Sequence, residues 1–520
     1  MNDSIAILSE TVSFKAFLFQ NKRNRRILCF AAAALILQFA IFKYLYPFAS
    51  FIHGDSFKYM EDADNNSTIA IHPVGYSKFL RLVSVFAKPD IVLVGLQYLL
   101  IQLSAFFLVF TTFYFYRAGK VTQWILVGFM VLNPLFLHLG NMVSSDGFFL
   151  ALSLTWFSLM LWLIHRPSNK IIFWHGLVLF VAFTVRYNAL IYPFIAILAF
   201  YLSGLSIRKK ITGIAFPLLL CGWFIGLTMY QYKKLTGYWQ FSPFSGWQLA
   251  NNAMYAYRYV DSTDRKPVLP KYKALDDRIR KFYDKTRNLT MYPSEQEQAS
   301  TFYMWSKGMP LIQYRDSLFT DTAKATDFKR WASMGPFYRE YGIYIIKKYP
   351  LYFLSYFAWP NSNKYYAPPL EFLQFYNSGR DNVTEQGKKW FGYRSTTIRT
   401  RMSSGQTWIL DFYPILTGIV NVIMLFGLLY YILLKGWKYN KIFNKTILMA
   451  ATVWLFNAGF TILASSAALR YQAFPVVLTT TFTLLLVDWM TQLMRRMSKT
   501  NKEELEPRIS KQSIAVSEIS

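Results

Sequence analysis

Cysteine, histidine and acidic side chains are all scarce in this chain. The two cysteines, Cys29 and Cys221, lie in apolar stretches. That excludes a disulfide framework and leaves them the role of small core hydrophobes. The five histidines are scattered. No GxSxG, P-loop, HExxH or CxxC pair occurs, so the chemistries tied to those motifs have no foothold. Asp and Glu number 28 against 56 Lys and Arg, a formal net charge of +28. In a soluble protein such an excess points to nucleic acid. Here much of it sits in short loops between apolar runs, where Lys and Arg fix a topology against an anionic leaflet. Nucleic acid is therefore not an expected partner. Internal repeats and low-complexity tracts are also missing.

Hydrophobic residues make up 54% of the 520 positions. Apolar runs of about twenty residues recur, and a helix of that length crosses the hydrocarbon core. The runs predict an all-α polytopic membrane protein with about ten spans. They lie near 27–49, 90–113, 121–138, 144–164, 170–185, 189–204, 211–231, 408–434, 444–465 and 470–494. The first follows "NKRNRR", is too long for a signal-peptide core and lacks a cleavage site, so it reads as a retained span. Every second loop is basic. Lys15 to Arg26 come first, then Arg117 and Lys120, Arg166 and Lys170, Arg208 to Lys210, "KGWKYNKIFNK" (435–445), and Arg495 to Lys499. Both termini are therefore expected in the cytoplasm. The alternate loops then face a bacterial periplasm or an organelle lumen. The short lysine-rich loops and the missing retention signal favour a bacterial inner membrane. The organisation expected is an N-terminal transmembrane module, 1–231, with a first outward loop at 50–89; an outward cap, 232–407, mixed or helical; C-terminal spans, 408–494; and a disordered cytoplasmic tail, 495–520.

The outward loops hold the candidate residues, and each has an ordinary reading beside a functional one. Asp55, in "HGDS", is a solvated surface acid or part of an ordered pocket wall. Gly54 permits a tight bend there, and the amphipathic stretch "IAIHPVGYSKFLRLVSVF" (69–86) would lie along the surface nearby. Glu61, Asp62 and Asp64 read as solvated loop. Asp146, in "NMVSSDGFFLALSL", is a helix-start acid with Ser144 or Ser145 as cap, or a polar group aimed into an outer cavity. Arg186 with Tyr187, and Arg470 with Tyr471, are interfacial Arg-Tyr pairs or cations for an anionic headgroup. The guanidinium fork suits a phosphate. His72 shares the loop of Asp55, and His138 could face the same cavity.

Taken in order, "HGDS", "HPVGYSKFL", "SSDGFFLALSL", "LFVAFTVRYNALIYPF" and the late "LRYQAFPVVL" resemble the GT-C class of integral-membrane glycosyltransferases. The nearest patterns are those of the protein O-mannosyltransferases and the lipid A aminoarabinose transferases. The resemblance covers residues 50–200 and returns at 465–480; the 232–407 segment lies outside it. It implies a GT-C-like bundle that moves a sugar from a polyprenyl-phosphate donor to a glycan, lipid or protein acceptor on the outer side of the membrane. By position, Asp55 matches the catalytic acid of the first loop and Asp146 an acidic residue of the second outward loop. Arg470 with Tyr471 matches a late motif near the donor phosphate. His72, Arg186 and Tyr187 join them as substrate-binding candidates. Many relatives carry a paired Asp-Glu in the first loop, whereas Ser56 follows Asp55 here. The departure leaves one base acting alone, with no cofactor expected and no residue pair to indicate a divalent metal. Direct displacement by such a base inverts the anomeric centre.

Two rival classes share the gross pattern. A membrane polysaccharide polymerase has many spans, a large outward loop and outward arginines, and uses lipid-linked oligosaccharides. A transporter of lipid-linked sugars has ionisable groups near mid-bilayer and often inverted repeats. Here the notable charges cluster at span ends.

Overall fold

A computed structural model describes residues 12–291, 301–320, 325–402 and 405–517. These residues are helical, with only isolated bridges in place of strands. Among the described residues eight helices are long and apolar enough to cross a membrane, the architecture of a multi-pass helical membrane protein. In chain order the elements that matter are α1 (Lys22–Leu45), α2 (Asp55–Asp64), α3 (Gly75–Phe86), α4 (Asp90–Phe115), α5 (Lys120–Val131), α6 (Pro134–Asn141), α7 (Ser145–His165), α8 (Asn169–Val185), α9 (Tyr192–Leu202) and α10 (Ile207–Thr236). The cap contributes α11 (Pro243–Tyr257), α12 (Gly335–Lys348) and α13 (Trp359–Tyr366). The last three are α14 (Tyr413–Leu433), α15 (Lys441–Ala464) and α16 (Leu469–Ser517).

Of the spans read from sequence, 170–185 and 189–204 differ most from expectation. They form the shorter helices α8 and α9, of 17 and 11 residues. Arg186 between them is extended (φ −148°, ψ 143°), and a 3-10 turn at Tyr187–Ile191 precedes Pro193 in the first turn of α9. A charged residue, a tight turn and a proline thus divide one apolar stretch. The 121–138 span is likewise α5 and α6, restarted by Asn133 as cap and Pro134 in the first turn.

Local capping explains where the long helices begin. Asn21 accepts from the amides of Arg23 and Asn24, and Asn440 from those of Ile442 and Phe443. α10 stops at Gly237, whose φ of +83° only glycine adopts without strain. Enclosure then sorts the spans. Only 17% of the apolar stretch is buried in α1 and in α10, against 78% in α7 and 72% in α16. α1 and α10 present broad apolar faces outward, while α7 and α16 form the interior. α7 packs against α4, α8 and α16, and α16 also packs against α14 and α15. Close approach is needed where α7 starts. A Cβ on Gly147 would stand 2.8 Å from the carbonyl oxygen of Leu139, so only glycine fits directly after Asp146.

The cap is helical. α11 and α12 pack face to face around Trp247, Tyr338 and Tyr341. After α12 the chain restarts at Pro350, and a short helix, Pro350–Phe353, and a π-helical segment, Leu354–Ala358, lead into α13. Three further readings change. The 55–64 stretch is a helix, and within it Asp62 is buried and paired to Lys58 at 3.4 Å. Cys221 is buried, but Cys29 is exposed on the outer face of α1. Past Arg495, where the sequence suggests a disordered tail, the backbone continues as helix to Ser517. Positions 518–520 of that tail lie outside the described residues.

Candidate active site: an ion cluster at one end of the bundle

Two stretches that carry acids are stitched together by backbone. The Ser50 amide donates to the carbonyl of Asn141 at 2.9 Å, and the Val143 amide donates to that of Ser50 at 2.9 Å. The Ser56 hydroxyl donates to the Val143 carbonyl at 2.7 Å and accepts from the Ile52 amide at 2.8 Å. Ser56, which stands where relatives of the resembled class have a second acid, therefore serves as a structural tie. Gly54, at φ +102°, turns the chain into α2 with Asp55 as its first residue. Asp146 lies in the first turn of α7, where Ser144 caps its amide at 3.3 Å. Both carboxylates are thus at helix starts, which favour anions.

Two arginines from other spans meet them. The Arg470 guanidinium, at the head of α16, donates to Asp55 Oδ2 from both terminal nitrogens at 3.2 Å, and to Asp146 Oδ2 at 3.3 Å. Arg186, at the α8 end, is ion-paired to Asp146 Oδ1 and donates to the Ser145 hydroxyl at 3.3 Å. Ser144 donates to Asp146 Oδ2 at 2.7 Å. His72 Nε2 lies 3.5 Å from Asp55 Oδ1. The Tyr471 ring stands under both guanidiniums, at 4.8 Å from Arg186 and 4.3 Å from Arg470, and its hydroxyl is bonded to Arg470. Two acids and two arginines balance in charge, which the buried members, Asp146 and Arg470, require.

Exposure separates their capabilities. Side-chain exposure is 1% for Asp146 and 4% for Arg470, but 32% for Asp55. Asp55 is the carboxylate that an incoming group can touch. Burial pushes its carboxyl up, but the His72 hydrogen bond and the Arg470 charge outweigh this and hold it well below the usual carboxylate range. It stays ionised, and while Arg470 holds it, it is a weak base. The space at the cluster is small. A cavity of about 10 Å³ lies among Asp146, Arg186, Arg470 and Tyr471, room for one water molecule. A sugar enters only if these side chains move.

Of the residues named from sequence, Asp55, His72, Asp146, Arg186, Arg470 and Tyr471 come together. Tyr187 does not join the ions. It packs on Phe241 and Phe244 and lines a second small cavity with His72 and Phe241. The two Arg-Tyr pairs are therefore not equivalent. His138 is elsewhere, edge-on to Phe42 and Tyr46. Sequence reasoning passed over three aromatic neighbours. Tyr59 bonds the Ser145 hydroxyl at 3.0 Å, Phe149 lies 5.8 Å from Arg186, and Phe372 of the cap lies 4.6 Å from Arg470. Tyr59 is one helical turn past Asp55 and is findable once 55–64 is read as a helix. No sequence signal pointed to Phe372. Among the described residues no group of three or more His, Cys, Asp or Glu side chains is gathered to hold a metal ion.

No protein-family model matches the chain, and no curated protein or solved structure matches it.

Proposed function

We propose that this protein is a membrane glycosyltransferase that takes a sugar from a polyprenyl-phosphate carrier and passes it to an acceptor hydroxyl, with Asp55 as general base. The observation that carries this reading is the bridge made by Arg470 between Asp55 and Asp146, with Arg186 on the other oxygen of Asp146. Buried arginines are costly at a membrane protein's span ends unless something anionic holds them. Arg470, which is buried, and Arg186, which is mostly enclosed, set two forks beside a half-open carboxylate, the parts that phosphate departure and proton removal need.

On this reading the donor phosphate draws the two guanidiniums to itself. Asp55 loses its partner and regains basicity. The acceptor hydroxyl, seated at Asp55, gives up its proton to the carboxylate as its oxygen bonds the anomeric carbon. The bond from that carbon to the phosphate oxygen breaks, and its electron pair leaves with the carrier phosphate, which the arginines stabilise. Attack from the face opposite the phosphate inverts the centre. Asp146, too enclosed to reach a substrate, positions both arginines. The ion cluster then lies on the periplasmic side of a bacterial inner membrane, with both termini in the cytoplasm.

The test uses purified wild type and Asp55→Asn in detergent, with radiolabelled polyprenyl-phosphate monosaccharides and a membrane extract as acceptor. Transfer from one donor by wild type, and a loss of about a hundredfold or more in the variant, is expected. Full activity of folded Asp55→Asn removes it from the mechanism. Transfer only from lipid-linked oligosaccharides favours a polymerase.

A further inference from the structure

The cap reaches the cluster through a strap whose charges the mechanism above does not use. α13 is tied to the turn before Arg470: Asn361 donates to the carbonyls of Ser465 at 3.4 Å and Ile462 at 3.5 Å. Asn421 of α14 donates to the Tyr366 carbonyl at 2.9 Å. The chain then runs back over the site, where the Leu469 amide donates to the Pro369 carbonyl at 2.8 Å and Phe372 covers Arg470. Lys364 and Glu371 lie on this strap. The Lys364 ammonium is buried with no hydrogen-bond partner among the described residues. An enclosed cation of that kind is unfavourable and calls for an anion. Glu371 is held at φ +46°, a backbone conformation that side-chain-bearing residues seldom adopt and that collects at functional sites.

We infer that Lys364 is a third cation of the phosphate site, brought to the donor by the strap that also carries Phe372 and Glu371. This rests on the reading of Arg186 and Arg470 as phosphate ligands. Burial pushes the Lys364 ammonium down, against the pull of Glu371. Burial likewise pushes the Glu371 carboxyl up, although Arg470 and Lys364 both favour its charged form. The ammonium makes no hydrogen bond to the carboxylate, and Lys364 lies one helical turn past Asn361, which holds the turn before Arg470. A phosphate has three oxygens to share among two forks and one ammonium. Lysine supplies a point charge without geometric demand, the complement of two planar guanidiniums. Glu371 competes for the same cations while the site is empty.

The full-length protein in detergent, wild type against Lys364→Met, Lys364→Arg and Glu371→Gln, tests this with farnesyl monophosphate as probe and farnesol as control. Affinity is read by calorimetry and unfolding temperature is read without ligand. Wild type should bind the phosphate and not the alcohol. Lys364→Met should weaken binding by roughly tenfold to a hundredfold, the worth of one charged hydrogen bond. Lys364→Arg should stay within a few-fold, and Glu371→Gln should tighten binding. Ligand-free Lys364→Met should unfold at or above the wild-type temperature, because it removes an unpartnered charge. Wild-type affinity in Lys364→Met overturns the inference and leaves the arginine site standing. A lower unfolding temperature in that variant, or unchanged affinity in Glu371→Gln, makes Lys364 a structural partner of Glu371 and also overturns it. Equal binding of phosphate and alcohol by wild type removes the phosphate reading itself, and the role of Lys364 with it.

Discussion

Asp146 and Asp488 are both acids set into spans, and the company they keep is different. Asp488, on α16, accepts from the Gly119 amide at 3.0 Å, the Thr122 hydroxyl at 3.0 Å and Gln492 at 2.8 Å. Its neighbours are neutral donors around the start of α5, and the arrangement is an ordinary helix cap supplied from another helix. Nearby polar groups at that end, Tyr116, His165 and Thr446, bond one another. Asp146 also has its local cap, from Ser144, but its remaining capacity goes to arginines that come from α16 and from the end of α8. A cap completes a helix with neutral donors. A carboxylate that pulls two cations out of two other spans brings together charges that neutral groups could have replaced at lower cost in desolvation. That contrast sets a charge cluster at one end of the bundle against neutral helix capping at the other.

The largest break in the comparison is Arg470→Met. It takes from Asp55 and Asp146 their shared cation, leaving His72 and Arg186 as their remaining partners, and should lower stability by about 3–5 kcal/mol, the cost of breaking a buried pair from one side. Urea or thermal unfolding in detergent reads it. Next comes the direct contrast: Asp146→Asn leaves Arg186 without its carboxylate and Arg470 with Asp55 alone, and should cost about 2–4 kcal/mol, whereas Asp488→Asn loses a cap and should cost about 1 kcal/mol. Equal costs would erase the distinction drawn between the two ends. The smallest effect is in pH. The Asp55 carboxyl is held below its ordinary value. A lowered native value gives stability that is complete above the unfolded value and fades as pH falls through the native one. The stability gap between wild type and Asp55→Asn should therefore be flat from about pH 5 to pH 8 and shrink only below about pH 4. A gap that changes between pH 6 and 8 means that another group governs the pairing.

The legible part of this molecule was its period and its punctuation. Twenty-residue apolar runs yielded the long helices, and the loops at span ends yielded Asp55, His72, Asp146, Arg186 and Arg470, since charge beside a span is rare enough to be noticed. The illegible part was long-range. Tyr187 and Tyr471 follow arginines in identical fashion, but only the one carried into the interior on α16 reaches the ions. Phe372, Glu371 and Lys364 sit in a polar, aromatic cap whose local pattern gives no hint that it folds back over the bundle. Asp62 was misread because a helix, unlike a loop, turns one face inward and buries the acid on it. Cys29 was misplaced because an apolar span in a bilayer has an outer face as apolar as its inner one, so composition alone does not tell them apart.

The most direct measurement is a cryo-EM map of the full-length protein in nanodiscs with a prenyl monophosphate added. Phosphate density is expected between Arg186 and Arg470, with the Arg470 guanidinium withdrawn from Asp55 and that carboxylate left free. Density elsewhere, with the Arg470 bridge between Asp55 and Asp146 intact, would contradict that expectation.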